Sequence, residues 1–314
     1  MRLPLLCLCT AASLFAWQER QTTTYVYDSE GRRIPWSSSS SRPGSREETL
    51  RNLNGREVPQ EKVQERVLRQ EDGLKIVEQV VQRFDAAGQP LPPEKRVVEE
   101  TTRPDGSAVS RTTVYRGDLN GRLQLAERTT VETRESDGAS KRELIVERPN
   151  LNGSFEPVEK RIATTKGSAE RSETDEVVYR PDGRRGFAEA ARTVLRQTKE
   201  DGRMIEQTDE YETATTGAMQ LSRQTVSRVV RQPDGSERRE TDVFGSAAPG
   251  RPAGTQLQLR ERQLVEKQVR PDGTTVESLV IQRPSLQSTR ELGPPVKVSE
   301  TVCRGDCLPK PAQP

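Results

Sequence analysis

The residues best equipped for covalent chemistry are four cysteines, two in an apolar N-terminal stretch (Cys7, Cys9) and two near the C-terminus (Cys303, Cys307). In an exported chain that loses the first pair, Cys303 and Cys307 would close a small disulfide loop. Free thiols and a metal site are the competing readings, and two cysteines without histidine make a poor zinc site. The chain contains no histidine at all. That removes Ser-His-Asp and Cys-His nucleophilic sites and the commonest general base at neutral pH. Carboxylates alone can hydrolyse glycosides, and there are 48 acidic residues, but 50 basic ones are interspersed among them. This is the pattern of solvated faces, and Trp17 and Trp36, the aromatic platforms a sugar site would favour, both precede the repeated region described below. The chain is therefore read as not an enzyme, with no catalytic, cofactor-binding or metal-binding residue assigned and no cofactor expected.

The segment Cys303-Arg304-Gly305-Asp306-Cys307 adds a sharper idea. A disulfide-closed Arg-Gly-Asp loop resembles the integrin-binding loops of some adhesive proteins, which makes Arg304, Gly305 and Asp306 a candidate adhesion loop. The competing reading is a turn: Arg-Gly-Asp recurs at Arg116-Gly117-Asp118, and Arg-Pro-Asp at Arg103, Arg180 and Arg270. Basic doublets such as Arg184-Arg185 and Arg238-Arg239 are isolated, and a net charge of +2 offers no broad positive face, so no nucleic-acid partner is expected.

The elements that must position these residues repeat. Asn54-Gly55, Ala87-Gly88, Asn120-Gly121 and Asn152-Gly153 fall at steps of 33, 33 and 32 residues, each followed in phase by a Glu-Lys or Glu-Arg pair. Between them lie tighter turns such as Asp72-Gly73, Asp105-Gly106, Asp234-Gly235 and Asp272-Gly273. Asn-Gly and Asp-Gly tolerate the positive φ of hairpin turns, and runs such as Thr129-Thr130-Val131 and Leu144-Ile145-Val146 suit a pleated surface. Each unit reads as a β-hairpin, with about 15 long strands in all. Lys62 to Phe84 also fits a helical spacing, and only the repeat register favours strand there. Polar residues fall on both alternating sets, as in Glu127, Thr129, Val131, Thr133 against Arg128, Thr130, Glu132, Arg134. A hydrophobic content of 31% with 4% aromatics is too poor for a sandwich core, and disorder is the competing state. The expected fold is all-β: tandem antiparallel β-hairpin repeats of about 32 residues forming a long meander, an open, twisted, largely single-layer sheet. The charges on both sets argue against a transmembrane barrel, whose outer band must be continuously apolar.

Met1 to Ala16 has the form of a secretory signal peptide cleaved near Ala16. The organisation read from composition is then 1–16 signal peptide, 17–36 N-terminal strand-turn segment, 37–45 Ser-rich linker, 46–307 repeat domain and 308–314 disordered Pro-rich tail. Tyr25-Val26-Tyr27-Asp28 through Gly31-Arg32 resembles the YD repeat of Rhs-type proteins, with looser echoes at Tyr115 to Arg122 and Tyr179 to Arg184. That resemblance implies strand-and-turn units that build shells or mediate surface contacts, and it carries no catalytic residue. The functional expectation is a secreted or periplasmic structural or interaction scaffold that does not span a membrane after signal removal. The alternative is a binding module that recruits a cell-envelope or extracellular protein by edge-strand addition or through the Cys303-Cys307 loop.

Overall fold

A computed structural model describes residues 19–51, 55–118, 120–136, 138–184, 186–200, 202–214, 217–245, 257–285, 292–305 and 307. The segments read as a signal peptide with its cleavage site and as a Pro-rich tail lie outside the described residues. Eighteen strands follow one another without a helix among the described residues: β1 Arg20–Tyr27, β2 Arg33–Arg42, β3 Ser45–Arg51, β4 Glu57–Glu71, β5 Leu74–Arg83, β6 Glu94–Thr102, β7 Ala108–Gly117, β8 Leu123–Ser136 and β9 Ala139–Pro149. The second half continues as β10 Phe155–Gly167, β11 Arg171–Pro181, β12 Phe187–Glu200, β13 Arg203–Thr213, β14 Met219–Arg231, β15 Glu237–Gly245, β16 Gln258–Val269, β17 Thr275–Gln282 and β18 Val296–Arg304.

Turns alternate between two rims, and the tight-turn rim carries two-residue hairpins together with five-residue turns at 103–107, 232–236 and 270–274. At the tight-turn rim, two-residue connections join Glu71 to Leu74, Ser136 to Ala139 and Glu200 to Arg203. Gly73 there has φ +71, and a Cβ on it would stand 2.9 Å from the Thr102 carbonyl oxygen, so both the turn and the neighbouring strand require glycine. At the loose-turn rim an Asp or Asn opens the turn with its side chain. Asp118 Oδ1 accepts the backbone N–H groups of Asn120 (2.8 Å) and Arg122 (2.9 Å), and Asp28, Asp85, Asn150 and Asp182 repeat this arrangement. These residues supply acceptors to N–H groups that the ladder leaves unpaired.

Every strand pairs antiparallel with its sequence neighbour, and β1 also pairs with β18, from Gln21 opposite Arg304 to Val26 opposite Ser299. The sheet closes into an 18-stranded barrel. This corrects the open meander: sheets twist with one hand, and the twist accumulated over so many strands brings the first edge to the last, where pairing satisfies both. Closure also removes the open edge that strand addition needs. The serine tract read as a linker is part of β2, with Ser37 to Ser41 laddered against β1 and β3, and Lys62 to Phe84 is strand throughout β4 and β5. No second layer covers the wall. The most deeply buried side chains, Val81 at 2% and Val229 at 1% exposure, are packed within a single curved sheet.

Candidate functional site: the barrel wall and its two rims

Which side chains face the lumen follows from register and chirality. The Arg103 N–H donates to the Ser107 carbonyl (2.8 Å), so the odd-numbered residues of β6 direct their backbone groups toward β7. From β1 to β5 the register drifts toward the loose-turn rim, through Thr22, Ser39, Glu48, Glu61 and Arg83. With L-residues and the fixed hand of sheet twist, these two facts place Lys95, Val97 and Glu99 of β6 on the convex outer wall, and Glu94, Arg96 and Val98 inside. Directly paired residues share a wall, so the assignment extends around the barrel. Greater crowding on a concave face agrees with the balance of the buried valines: Val58, Val77, Val81, Val114 and Val229 are inward, and Val109 and Val194 are outward.

The inner wall is polar and charge-paired. Glu94, 6% exposed, receives Arg96 at 2.6 Å and Arg116 at 3.2 Å, with Arg83 at 3.7 Å. Arg239 reaches Glu206 at 2.7 Å, and Arg148 reaches Glu127 at 2.9 Å. Ser227 and Thr241, and Thr165 and Thr174, pair through their hydroxyls at 2.8 Å. Acid and base alternate around the lumen, so the wall presents fixed charges of both signs to its contents.

The outer wall is also charged between the rims. Arg192 pairs with Asp175, Arg196 with Asp209 and Arg262 with Asp242, each at 2.6 Å, and Lys95 pairs with Glu78. The continuous apolar band of a barrel immersed in lipid is absent from this stretch of the described wall. Aromatic side chains gather instead at one end. All five tyrosines and four of the five phenylalanines lie near the loose-turn rim: Tyr25, Tyr27, Phe84, Tyr115 and Phe155, then Tyr179, Phe187, Tyr211 and Phe244. Strand parity puts them all on the outer wall, where Tyr115, Tyr211 and Phe244 sit opposite Leu125, Leu221 and Leu259. A register shift immediately precedes five of them, at Thr24/Tyr25, Val114/Tyr115, Val178/Tyr179, Glu210/Tyr211 and Val243/Phe244. Bulges at a rim re-aim side chains, and here they hold the aromatics outward. Sequence reasoning missed this ring, although Phe84 to Tyr115, Tyr179 to Tyr211 and Tyr211 to Phe244 are 31, 32 and 33 residues apart.

The remaining residues singled out from sequence meet at the seam. Cys303 and Cys307 are joined as a disulfide with Cα atoms 5.9 Å apart, and Cys303 stands opposite both Thr22 of β1 and Thr275 of β17. The bridge therefore sits where the barrel closes, not on an ordinary hairpin. Arg304 ends β18 and Gly305 packs against the Glu19 backbone, while Asp306 lies outside the described residues.

Closure, two rims and a wall one residue thick have counterparts among solved structures. The fold is porin-like. A triple mutant of Rhodopseudomonas blastica porin superimposes with a TM-score of 0.56 at 11% identity, covering 92% of this chain and 98% of that one. A second Rh. blastica porin mutant gives 0.55 at 10% identity, over 91% and 99%. A structure described as "Asymmetric conductivity of engineered proteins" gives 0.54 at 10%, over 91% and 98%. No protein-family model matches the chain, and no curated protein does either. The likeness replaces the YD/Rhs resemblance, because a closed barrel with one strand pair per turn is not an open repeat array. The closed barrel fold also stands against the scaffold reading and the soluble, secreted or periplasmic, non-spanning placement, which rested on an open sheet. The reading of the chain as a non-enzyme accords with this class of fold.

Proposed function

We propose that this protein is a polar-walled passage for small hydrophilic solutes at the outer membrane. The observation that carries the reading is the β1–β18 pairing, which turns a charged sheet into a tube with an opening at each rim. The inner wall supports it: threonine and serine hydroxyls and paired Arg and Glu side chains hydrate readily. The porin-like fold supports the location, and an export signal read at Met1 to Ala16 is consistent with it.

Single-channel recording in planar lipid bilayers tests the proposal. Purified protein should give stepwise conductance that rises with electrolyte concentration, together with release of small sugars from liposomes. Sealed bilayers at protein loads where the protein is demonstrably lipid-bound would overturn it. Because acid and base alternate along the lumen, the reversal potential in a salt gradient should stay close to zero, the mark of weak ion selectivity.

A further inference from the structure

We propose that the inner-wall cavity at the tight-turn rim, between the β10–β11 turn and β14, binds a free α-amino acid with an aliphatic side chain. The cavity holds about 470 Å³, a volume suited to a small molecule. Strand pairing turns its side chains into the barrel: Ser172 stands opposite Gln197, Lys199 opposite Met204, and Met204 opposite the inward Val229. Lys199 and Met204 are the last inward pair before the β12–β13 hairpin, so the cavity lies at one mouth of the lumen. The inference deepens the passage reading by naming a solute class, and rests on it for the route that solute takes.

The floor is apolar. Val229 is 1% exposed, and Met204 beside it is an unbranched side chain that adapts to what lies on it. Most polar groups around the floor already have partners. The Ser172 hydroxyl donates to Gln197 Oε1 (3.3 Å), Gln197 Nε2 donates to Glu206 Oε1 (3.1 Å), and Arg231 Nε donates to Glu237 Oε2 (2.8 Å). Two charges are left over, the Lys199 ammonium and the Glu170 carboxylate, and neither has an ion-pair partner among the described residues. They belong to neighbouring elements, because the Lys199 backbone N–H donates to the Glu170 carbonyl (2.7 Å). The turn carrying Glu170 is held by the Ser168 hydroxyl, which accepts the N–H groups of Glu170 and Arg171 at 3.3 Å each.

Adjacent strands lie about 4.8 Å apart, so an unpaired cation and an unpaired anion stand side by side. That arrangement fits a carboxylate and an ammonium carried on one carbon, with the carboxylate on Lys199 and the ammonium on Glu170. A side chain extending from that carbon toward β13 and β14 covers Met204 and Val229. A simple anion answers only Lys199, a second anionic group meets Glu170, and a neutral sugar answers neither charge.

Equilibrium dialysis of the full chain in detergent micelles against labelled leucine tests the site without requiring conduction. Leucine should bind saturably. 4-Methylpentanoate, which lacks the ammonium, and 3-methylbutylamine, which lacks the carboxylate, should each compete roughly tenfold or more weakly, the scale of one lost charge-assisted contact. Lys199→Gln and Glu170→Gln should each weaken leucine binding by a similar factor, whereas Lys75→Gln, an inward lysine at the same rim on β5, should bind like the parent. Far-UV circular dichroism checks that the variants stay folded. Absence of saturable leucine binding, 4-methylpentanoate binding as tightly as leucine, or leucine binding unchanged in Lys199→Gln or Glu170→Gln would overturn the proposal. Conductance without leucine binding would overturn it while leaving the passage. Leucine binding by a protein that gives no conducting steps would sink the passage and leave the site.

Discussion

At the scale of single residues the barrel depends on short polar side chains placed where ladders stop. The Asp105 side chain accepts from the Ser107 hydroxyl (2.6 Å) and backbone N–H (2.9 Å), and these bonds hold its carboxyl below the ordinary carboxylate range. Asp28 is lowered chiefly by the Arg32 side chain, Asp182 by the backbone N–H of Arg184, and Asp272 by the backbone N–H of Thr274. A carboxyl whose folded pKa is depressed contributes stability that is complete above its unfolded pKa and is lost as pH falls through the folded value. Acid titration followed by circular dichroism should therefore show loss of structure beginning below about pH 4. The D105N/D272N variant, which keeps an acceptor oxygen but no titrating group, should lose less stability across that window. An unchanged acid profile would show that the turns are not the sensitive groups. Glu94 is the clearest single-residue case on the wall. Removing it leaves Arg96 and Arg116 facing each other without an acceptor, so Glu94→Ala should lower unfolding stability by about 1–3 kcal/mol in denaturant titration.

At the scale of elements the decisive pairing is β1 with β18, the one contact not prepared by a hairpin. Its register spans residues nearly a whole chain apart, so its closure entropy is large and it must form after the meander. Two features stand at this seam. The Cys303–Cys307 disulfide fixes the end of β18, and Gly305, at φ +89, lies so close to β1 that a Cβ would fall 2.1 Å from the Glu19 carbonyl oxygen. Replacing both cysteines with serine should cost about 2 kcal/mol, the magnitude set by a very short loop. Hydrogen exchange should show the loss first in β1 and β18, and protection lost evenly across the sheet would argue against a seam-specific role. Gly305→Val should produce the same local exchange with the disulfide intact, because both the φ and the contact exclude a branched side chain.

At the scale of the whole molecule, the wall must be stable without a core. Backbone ladders satisfy the polar main chain, cross-strand pairs add about 0.2–1 kcal/mol each, and closure leaves no edge exposed. The same wall sets the terms of any contact with lipid. A lone Arg or Lys facing hydrocarbon at mid-bilayer costs about 2–4 kcal/mol, and the outer cations meet this with carboxylate partners such as Asp175, Asp209 and Asp242. The aromatic rim has no such cost. Neutralising one partner should therefore discriminate: Asp242→Asn leaves Arg262 and Arg228 sharing only the more distant Glu240, at 3.5 and 3.9 Å, and should weaken membrane recovery of the protein more than Glu237→Gln on the inner wall. Equal recovery of the two variants would mean that the outer cations do not meet lipid.

Much of the local structure was legible in the residues. Asp-Gly and Asn-Gly turns, β-branched runs and the spacing near 32 residues marked nearly every hairpin, because turn stereochemistry and strand preference act over a few residues. The absence of histidine excluded whole classes of catalysis for the same reason, since side-chain chemistry is a property of composition. The serine tract was misread because serine is common in linkers, and only the ladders of β1 and β3 on either side hold it as strand. The aromatic ring escaped notice because its members are dispersed at one per hairpin and share a rim only when the strands are laid side by side. Closure itself had no local signature. With polar residues on both faces, nothing in the alternation distinguishes an inside from an outside, and the choice between open sheet and barrel is made by accumulated twist and register drift. Those are sums over eighteen strands, and only the tertiary structure evaluates them.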